Sequence, residues 1–350
     1  MEKLKILYEK VKSKGRFMSF TSPKVQELTF ADIKDREWAL ETPAAKYLLK
    51  TLPLEIREKL RKGFLLSGSR SKEARDVLEY LLKYSTISRI LTQETSSAET
   101  FEYLYFKRQV DNKVDEYFPR GQAAIGINQR LLALKSNLPN LIRDEIKRLN
   151  LLKGGKFIVF NVGSGPGHDM IEVLAENPDL LNRVHVFCID PDDLMLEIGR
   201  HRVTELGISD SFTFIPKKCE EAEMVKAHMI LMIGLLCPMK KTTCVKVLKN
   251  MIYFSRFGGL IVFSTVQKEM LIGDPLTDFI MRLAGWKMSY KNDSEPEEIA
   301  RAAGWKPISR FFDSLGFNCM TVARLGWSWR NLLRKAIYPL YKFYKATLST

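Results

Sequence analysis

The run K-F-I-V-F-N-V, residues 156–162, leads without interruption into G-S-G-P-G-H-D, residues 163–169. A short apolar run rich in Val, Ile and Phe reads as a strand buried on both faces. Three glycines in five residues directly behind it let the backbone turn sharply and let a ligand come close. A helical pattern, M-I-E-V-L-A-E-N, follows. Strand, glycine turn and helix in that order predict a parallel sheet covered by helices. Its ligand belongs outside the carboxyl ends of the strands, where the strand order reverses.

The same texture continues. V-H-V-F-C-I-D (184–190), F-T-F-I-P (212–216), M-I-L-M-I-G-L-L (229–236) and G-L-I-V-F-S-T (259–265) are further short apolar runs. Helical stretches lie between them, such as D-L-M-L-E-I-G-R-H-R-V-T-E-L and K-K-T-T-C-V-K-V-L-K-N-M-I-Y-F-S-R. After Trp305, P-I-S-R-F-F-D and N-C-M-T-V-A-R-L flank a tight S-L-G-F turn and predict a closing antiparallel hairpin. Ser294-Glu295-Pro296-Glu297 predicts a capping-box start for the helix ahead of that hairpin.

Residues 1–150 read differently. In S-K-E-A-R-D-V-L-E-Y-L-L-K-Y (71–84), Ala74, Val77, Leu78, Leu81 and Leu82 recur at the helical period. Residues 98–110 and 139–150 follow the same rule, with turns predicted at S-G-S-R-S (67–71) and N-L-P (137–139). The domain expectation is a helical N-terminal domain or cap over 1–150, a sheet domain over 151–326, and a tail over 327–350.

The glycine loop narrows the ligand. No G-K-[ST] closes it, so it is not a P-loop. The dinucleotide fingerprint G-x-G-x-x-G needs glycine at 168, where His168 stands. The spacing found, G-x-G-x-G, resembles the first motif of class I S-adenosylmethionine-dependent methyltransferases. The second strand ends in C-I-D-P-D, residues 188–192, whose Asp190 offers two oxygens to two ribose hydroxyls. Dinucleotide folds use the same device, and Asp190 also suits a cap for the helix from Asp192. The fourth strand, a helix, R-F-G-G and an apolar fifth strand continue the resemblance. Phe257 stands where the family often has proline. The likeness spans roughly residues 150–325. A closer one, over Phe279–Gly304, points to a bacterial group of methyltransferases, some fused to hydrolases.

The resemblance implies an α/β fold: a seven-stranded Rossmann-like methyltransferase sheet behind the α-helical N-terminal domain. It implies S-adenosyl-L-methionine as cofactor, with Gly163, Ser164, Gly165 and Gly167 under its methionine and ribose. Asp190 would hold the ribose hydroxyls, with Pro191 beside the adenine. Cys219 and Glu220 follow the third strand, where the family meets the adenine ring; Glu220 equally suits a surface helix start. Asp169 is a candidate near the methionine amino group. The end of the fourth strand, Ile233 to Leu235 with Gly234 between, would face the sulfonium. Arg120 and Arg130 lie just upstream of the sheet, where some members set an arginine against the cofactor's carboxylate. No catalytic base and no metal site is implied, since methyl transfer is an in-line displacement that alignment and electrostatics can drive.

The expected function is methyl transfer to a small-molecule acceptor, because a helical cap in such folds tends to close over the substrate pocket. Two rivals stay open: an RNA methyltransferase, and a non-catalytic protein that keeps the fold for interaction. The net charge is +14. Residues 1–150 carry 29 Lys+Arg against 20 Asp+Glu, and residues 151–350 carry 26 against 21. So diffuse an excess reads mainly as a solvated surface. I-G-L-L stands where base-amine methyltransferases carry N-P-P-[YF].

From Arg324 onward there are six basic residues and no acidic one. W-S-W-R-N-L-L-R-K-A-I-Y-P-L-Y-K-F-Y-K-A-T-L (327–348) suits a membrane surface, nucleic acid, or docking on its own domain. Pro339 interrupts a single long helix and favours docking. The five cysteines show no C-x-x-C spacing, and M-E-K-L-K-I-L-Y-E-K has no apolar signal core, so a cytoplasmic setting is expected.

Overall fold

The computed structural model describes residues 36–93, 112–151, 154–222 and 226–326. The expected helix at 98–110 and the basic aromatic tail at 327–350 lie outside the described residues.

The N-terminal part is helical: α1 (Glu37–Leu40), α2 (Pro43–Thr51), α3 (Leu54–Lys62), α4 (Lys72–Tyr84), α5 (Thr86–Gln93) and the long α6 (Gln122–Arg148). In α4 the Ser71 hydroxyl accepts from the Ala74 N–H at 3.1 Å, capping the helix, and Ala74, Val77 and Leu81 face the core. The turn predicted at 137–139 is absent, because Pro139 lies inside α6. An interior proline costs about 3 kcal/mol. Leu134, Leu138, Ile142 and Ile146 bury on the sheet, and at roughly 1.5–3 kcal/mol each they outweigh that cost.

The second part runs β1 (Phe157–Val162), α7 (His168–Ala175), α8 (Pro178–Leu181), β2 (Val184–Ile189), α9 (Asp193–Glu205), β3 (Phe212–Ile215), β4 (Ala227–Met232) and α10 (Lys241–Met251). It continues through β5 (Ser255–Val266), α11 (Lys268–Gly273), α12 (Pro275–Leu283), α13 (Glu295–Ala303), β6 (Trp305–Phe312) and β7 (Asn318–Leu325). The seven strands lie in the order β3-β2-β1-β4-β5-β7-β6. The first five are parallel, and β7 enters antiparallel between β5 and β6. This is the Rossmann-like methyltransferase sheet, with the helical part ahead of it. The order reverses between β1 and β4, so their carboxyl ends form the crevice of an open α/β sheet.

Three local readings change. β5 starts at Ser255, which pairs with Ala227, so the helix before it ends at Met251 and does not run through Y-F-S-R. Ser294 makes no capping box. Its backbone is already helical (φ −81°, ψ −22°), and its hydroxyl donates to Glu298 at 2.8 Å. Glu295 instead accepts from the Asn292 N–H at 2.7 Å. Finally, α11 and α12 are inserted after β5, where the sequence analysis predicts no helix.

The helical core and the sheet core meet along α6. Ala123 and Ala124 at its start pack with Phe118, α11 and α12. Its second half lies beside α7, β6 and β7 and shares a core with buried residues of β1, β4 and β5. One rigid helix thus fixes the cap relative to the strand ends.

Candidate functional site

The loop after β1 is built around its glycines. Gly163 (φ +63°), Gly165 (φ +50°) and Gly167 (φ +84°) all take the left-handed conformation. A Cβ on Gly167 would stand 2.7 Å from Cys188 Sγ, and one on Gly163 would stand 3.0 Å from Leu235. The loop is therefore pinned between the end of β2 and the segment after β4.

Asp190 ties the loop to β2. Its Oδ2 accepts from the Gly165 N–H at 2.9 Å and its Oδ1 from the Asp192 N–H at 3.0 Å. Burial raises its pKa, and the two N–H donors oppose that rise. The helix cap belongs to Asp192, which accepts from Leu194 and Met195. Each Asp190 oxygen keeps a further lone pair, so the loop tie leaves acceptor capacity for a ligand.

Asp169, in the first turn of α7, is buried, and among the described residues its Oδ1 has no hydrogen-bond partner. Burial raises its pKa, against the opposing charges of Arg130 and His168. Asn161 of β1 is 1% exposed, and among the described residues neither of its amide atoms has a hydrogen-bond partner. Asn161 belongs to the N-V-G-S-G-P-G motif, whose spacing predicts no role for it. Arg130 of α6, 4% exposed, comes within 3.5 Å of where a Cβ on Gly234 would stand. Arg120 is elsewhere: it is on the surface, paired with Glu116 and stacked over Tyr47.

The other predicted residues separate. Ser164 is half-buried, with its hydroxyl on the Gly165 carbonyl. Pro191 and Glu220 are exposed, and Cys219 is buried in the cluster that holds Val162 and Ile189. Burial pushes the Cys219 thiol up to about 12. Gly234 (φ +84°) breaks the chain out of β4, and its N–H donates to Ser264 Oγ at 2.7 Å.

Gly234 and Arg130 also line a cavity holding about 720 Å³ of space between atoms, part of it open to solvent. Its walls come from α5 and α6 on one side and from α11, α12 and the ends of β5 and β7 on the other. The lining is mainly apolar, with Ile87, Phe118, Met270, Met281 and Trp286 prominent. Gly163 of the loop lies against Leu235, and the neighbouring Gly234 lines the cavity.

The donor set fits the methionine end of S-adenosylmethionine. That group carries an ammonium and a carboxylate. A buried aspartate and an orphaned asparagine can meet the first, and a buried arginine the second.

No protein-family model and no curated protein matches the chain. Among solved structures it is similar to a possible exported protein from Bordetella parapertussis, at 13% identity and a TM-score of 0.58, covering 82% of this chain and 98% of that one. The S-adenosylmethionine-dependent methyltransferase SibL matches at 13% identity and 0.49, over 83% of this chain and 77% of that one. Magnesium protoporphyrin IX methyltransferase from Synechocystis matches at 14% and 0.47, over 68% and 99%. At such identities the likeness concerns the fold.

Proposed function

We propose that this chain, which has the class I methyltransferase fold, binds S-adenosylmethionine on its glycine loop and methylates a small, largely apolar acceptor in the adjoining cavity. The observation that carries this reading is the adjacency of loop and cavity, Gly163 lying against Leu235 and Gly234 beside it lining the cavity. A ligand seated along Gly163–Gly167, with its charged end between Asp169 and Arg130, lies beside the cavity mouth.

When bound, the cofactor supplies a methyl group made electrophilic by its sulfonium. The protein's part is then placement. Asp190 holds the ribose hydroxyls and keeps Gly165 in position. Arg130 holds the carboxylate, and Asp169 with Asn161 receives the ammonium. The cap residues of α5 and α6 exclude water and hold the acceptor in line. The mainly apolar lining of the cavity favours a small molecule over a nucleic acid.

Calorimetry with S-adenosylhomocysteine and, separately, NAD tests the reading. Saturable binding of the former with none of the latter is the expected result. Thermal stabilisation by NAD alone overturns it.

A further inference from the structure

Asn318 opens β7 beside the last residue of β5, Val266, and is 3% exposed. Its amide orientation is fixed by chemistry. One side-chain N–H donates to the Gly126 carbonyl of α6 at 3.3 Å and the other to Asp313 Oδ2 at 2.8 Å. Both partners only accept, so the nitrogen must lie on that side and the oxygen on the other. Among the described residues no hydrogen bond reaches Oδ1, and Asn318 lines the cavity.

Thr277, also in the lining, is already committed. Its hydroxyl donates to Asp274 at 2.9 Å, which leaves the Tyr117 hydroxyl as donor to it, at 2.9 Å. Arg130 stands at the other end, beside Gly234. The carbonyl of Asn318 is therefore an oriented acceptor set in an otherwise greasy wall. Left dry, such an oxygen costs free energy, and a ligand without a donor leaves it so.

Resting on the methyltransferase reading above, we infer that Asn318 selects the acceptor: the cavity takes a neutral, largely apolar molecule that presents a hydrogen-bond donor, a hydroxyl in the first instance, to Asn318 Oδ1. The residue positions the acceptor and takes no proton. A site built around a hydroxyl discriminates strongly against an analogue lacking it, whereas an apolar pocket barely distinguishes the two.

The test uses the full chain saturated with S-adenosylhomocysteine and three probes of nearly equal shape: 2-naphthol, 2-methoxynaphthalene and 2-methylnaphthalene. The expected result is roughly tenfold or greater preference for 2-naphthol, the only donor, with the other two alike. In Asn318→Leu the preference disappears while S-adenosylhomocysteine affinity stays. Equal or tighter binding of 2-methylnaphthalene by the unaltered protein overturns the inference, whether or not the variant folds. Loss of S-adenosylhomocysteine binding with the naphthol preference intact overturns the methyltransferase reading and leaves the role of Asn318 standing.

Discussion

Gly199 of α9 lies so close to the glycine loop that a Cβ on it would stand 2.1 Å from the carbonyl oxygen of Pro166. The same Cβ would meet Phe214 at 2.6 Å. A helix interior favours alanine over glycine by up to about 1 kcal/mol. Here the clash wins, because the nearer atom belongs to the backbone and cannot swing away. Overpacking of this kind costs about 1–3 kcal/mol. Gly199→Ala should lower the melting temperature and weaken S-adenosylhomocysteine binding together, since the displaced segment is the loop itself. A variant with both values unchanged would show that α9 yields freely.

Asp190 is expected to serve two partners, the loop and the ligand. Its two backbone bonds are charge-assisted, at roughly 1.5–3 kcal/mol each. Asp190→Ala should cut S-adenosylhomocysteine affinity at least about tenfold. Loosening of the loop alone would produce some loss, so the decisive measurement compares S-adenosylhomocysteine with its 2′-deoxy analogue. The unaltered protein should discriminate between them and Asp190→Ala should not. Absence of discrimination in the unaltered protein would leave Asp190 a loop tie only.

The sheet was readable because parallel strands buried on both faces are continuous apolar runs, and the first four runs here are closely followed by Gly, Pro or Asp. The glycine loop was readable because only glycine fits its left-handed positions. Pro139 misled because local propensity is overridden where four apolar neighbours bury on a sheet. Ser294 misled because a capping motif in the chain does not fix backbone angles. The start of α12 carried a usable signal: Asp274 caps the helix through the Thr277 N–H, with Pro275 at its first position. The cavity had no such signal. Arg130, Gly234 and Asn318 are each more than 80 residues from the next, and packing of α6 across two cores is what brings them together.

His228 gives the fold an acid limit. It stacks on Phe157, and its Nδ1 accepts from the Ile158 N–H at 2.8 Å. Burial lowers its pKa from 6.5 to about 4. The unfolded chain takes up a proton below pH 6.5, and the folded chain resists until about 4. Stability from this group is complete above pH 6.5 and is lost as pH falls toward 4. At 1.36 kcal/mol per pH unit the loss is on the order of 3 kcal/mol. His228→Leu leaves the Ile158 N–H unmet and should be less stable at pH 7. Its deficit should shrink between pH 6.5 and 4. A constant deficit across that range, measured by denaturant titration, would contradict the assignment.

Asp169 sets stability against binding. Its folded-state pKa is raised by burial, so the folded chain holds this proton to a higher pH than the unfolded chain does. The ionised form is thus a cost, absent at acid pH and fully present once pH has passed the raised value. Asp169→Asn removes the charge and keeps the shape. The variant should melt higher than the unaltered protein at pH 7, and the advantage should vanish toward pH 4 and below. The same change removes the anion proposed to receive the ligand's ammonium. S-adenosylhomocysteine affinity should therefore fall, by about tenfold if one charge-assisted bond is lost, while adenosine, which lacks the ammonium, should bind both forms alike. A variant that melts lower at pH 7 would mean that the Arg130 and His168 charges outweigh burial. Equal loss of adenosine binding would move Asp169 from ligand contact to loop support.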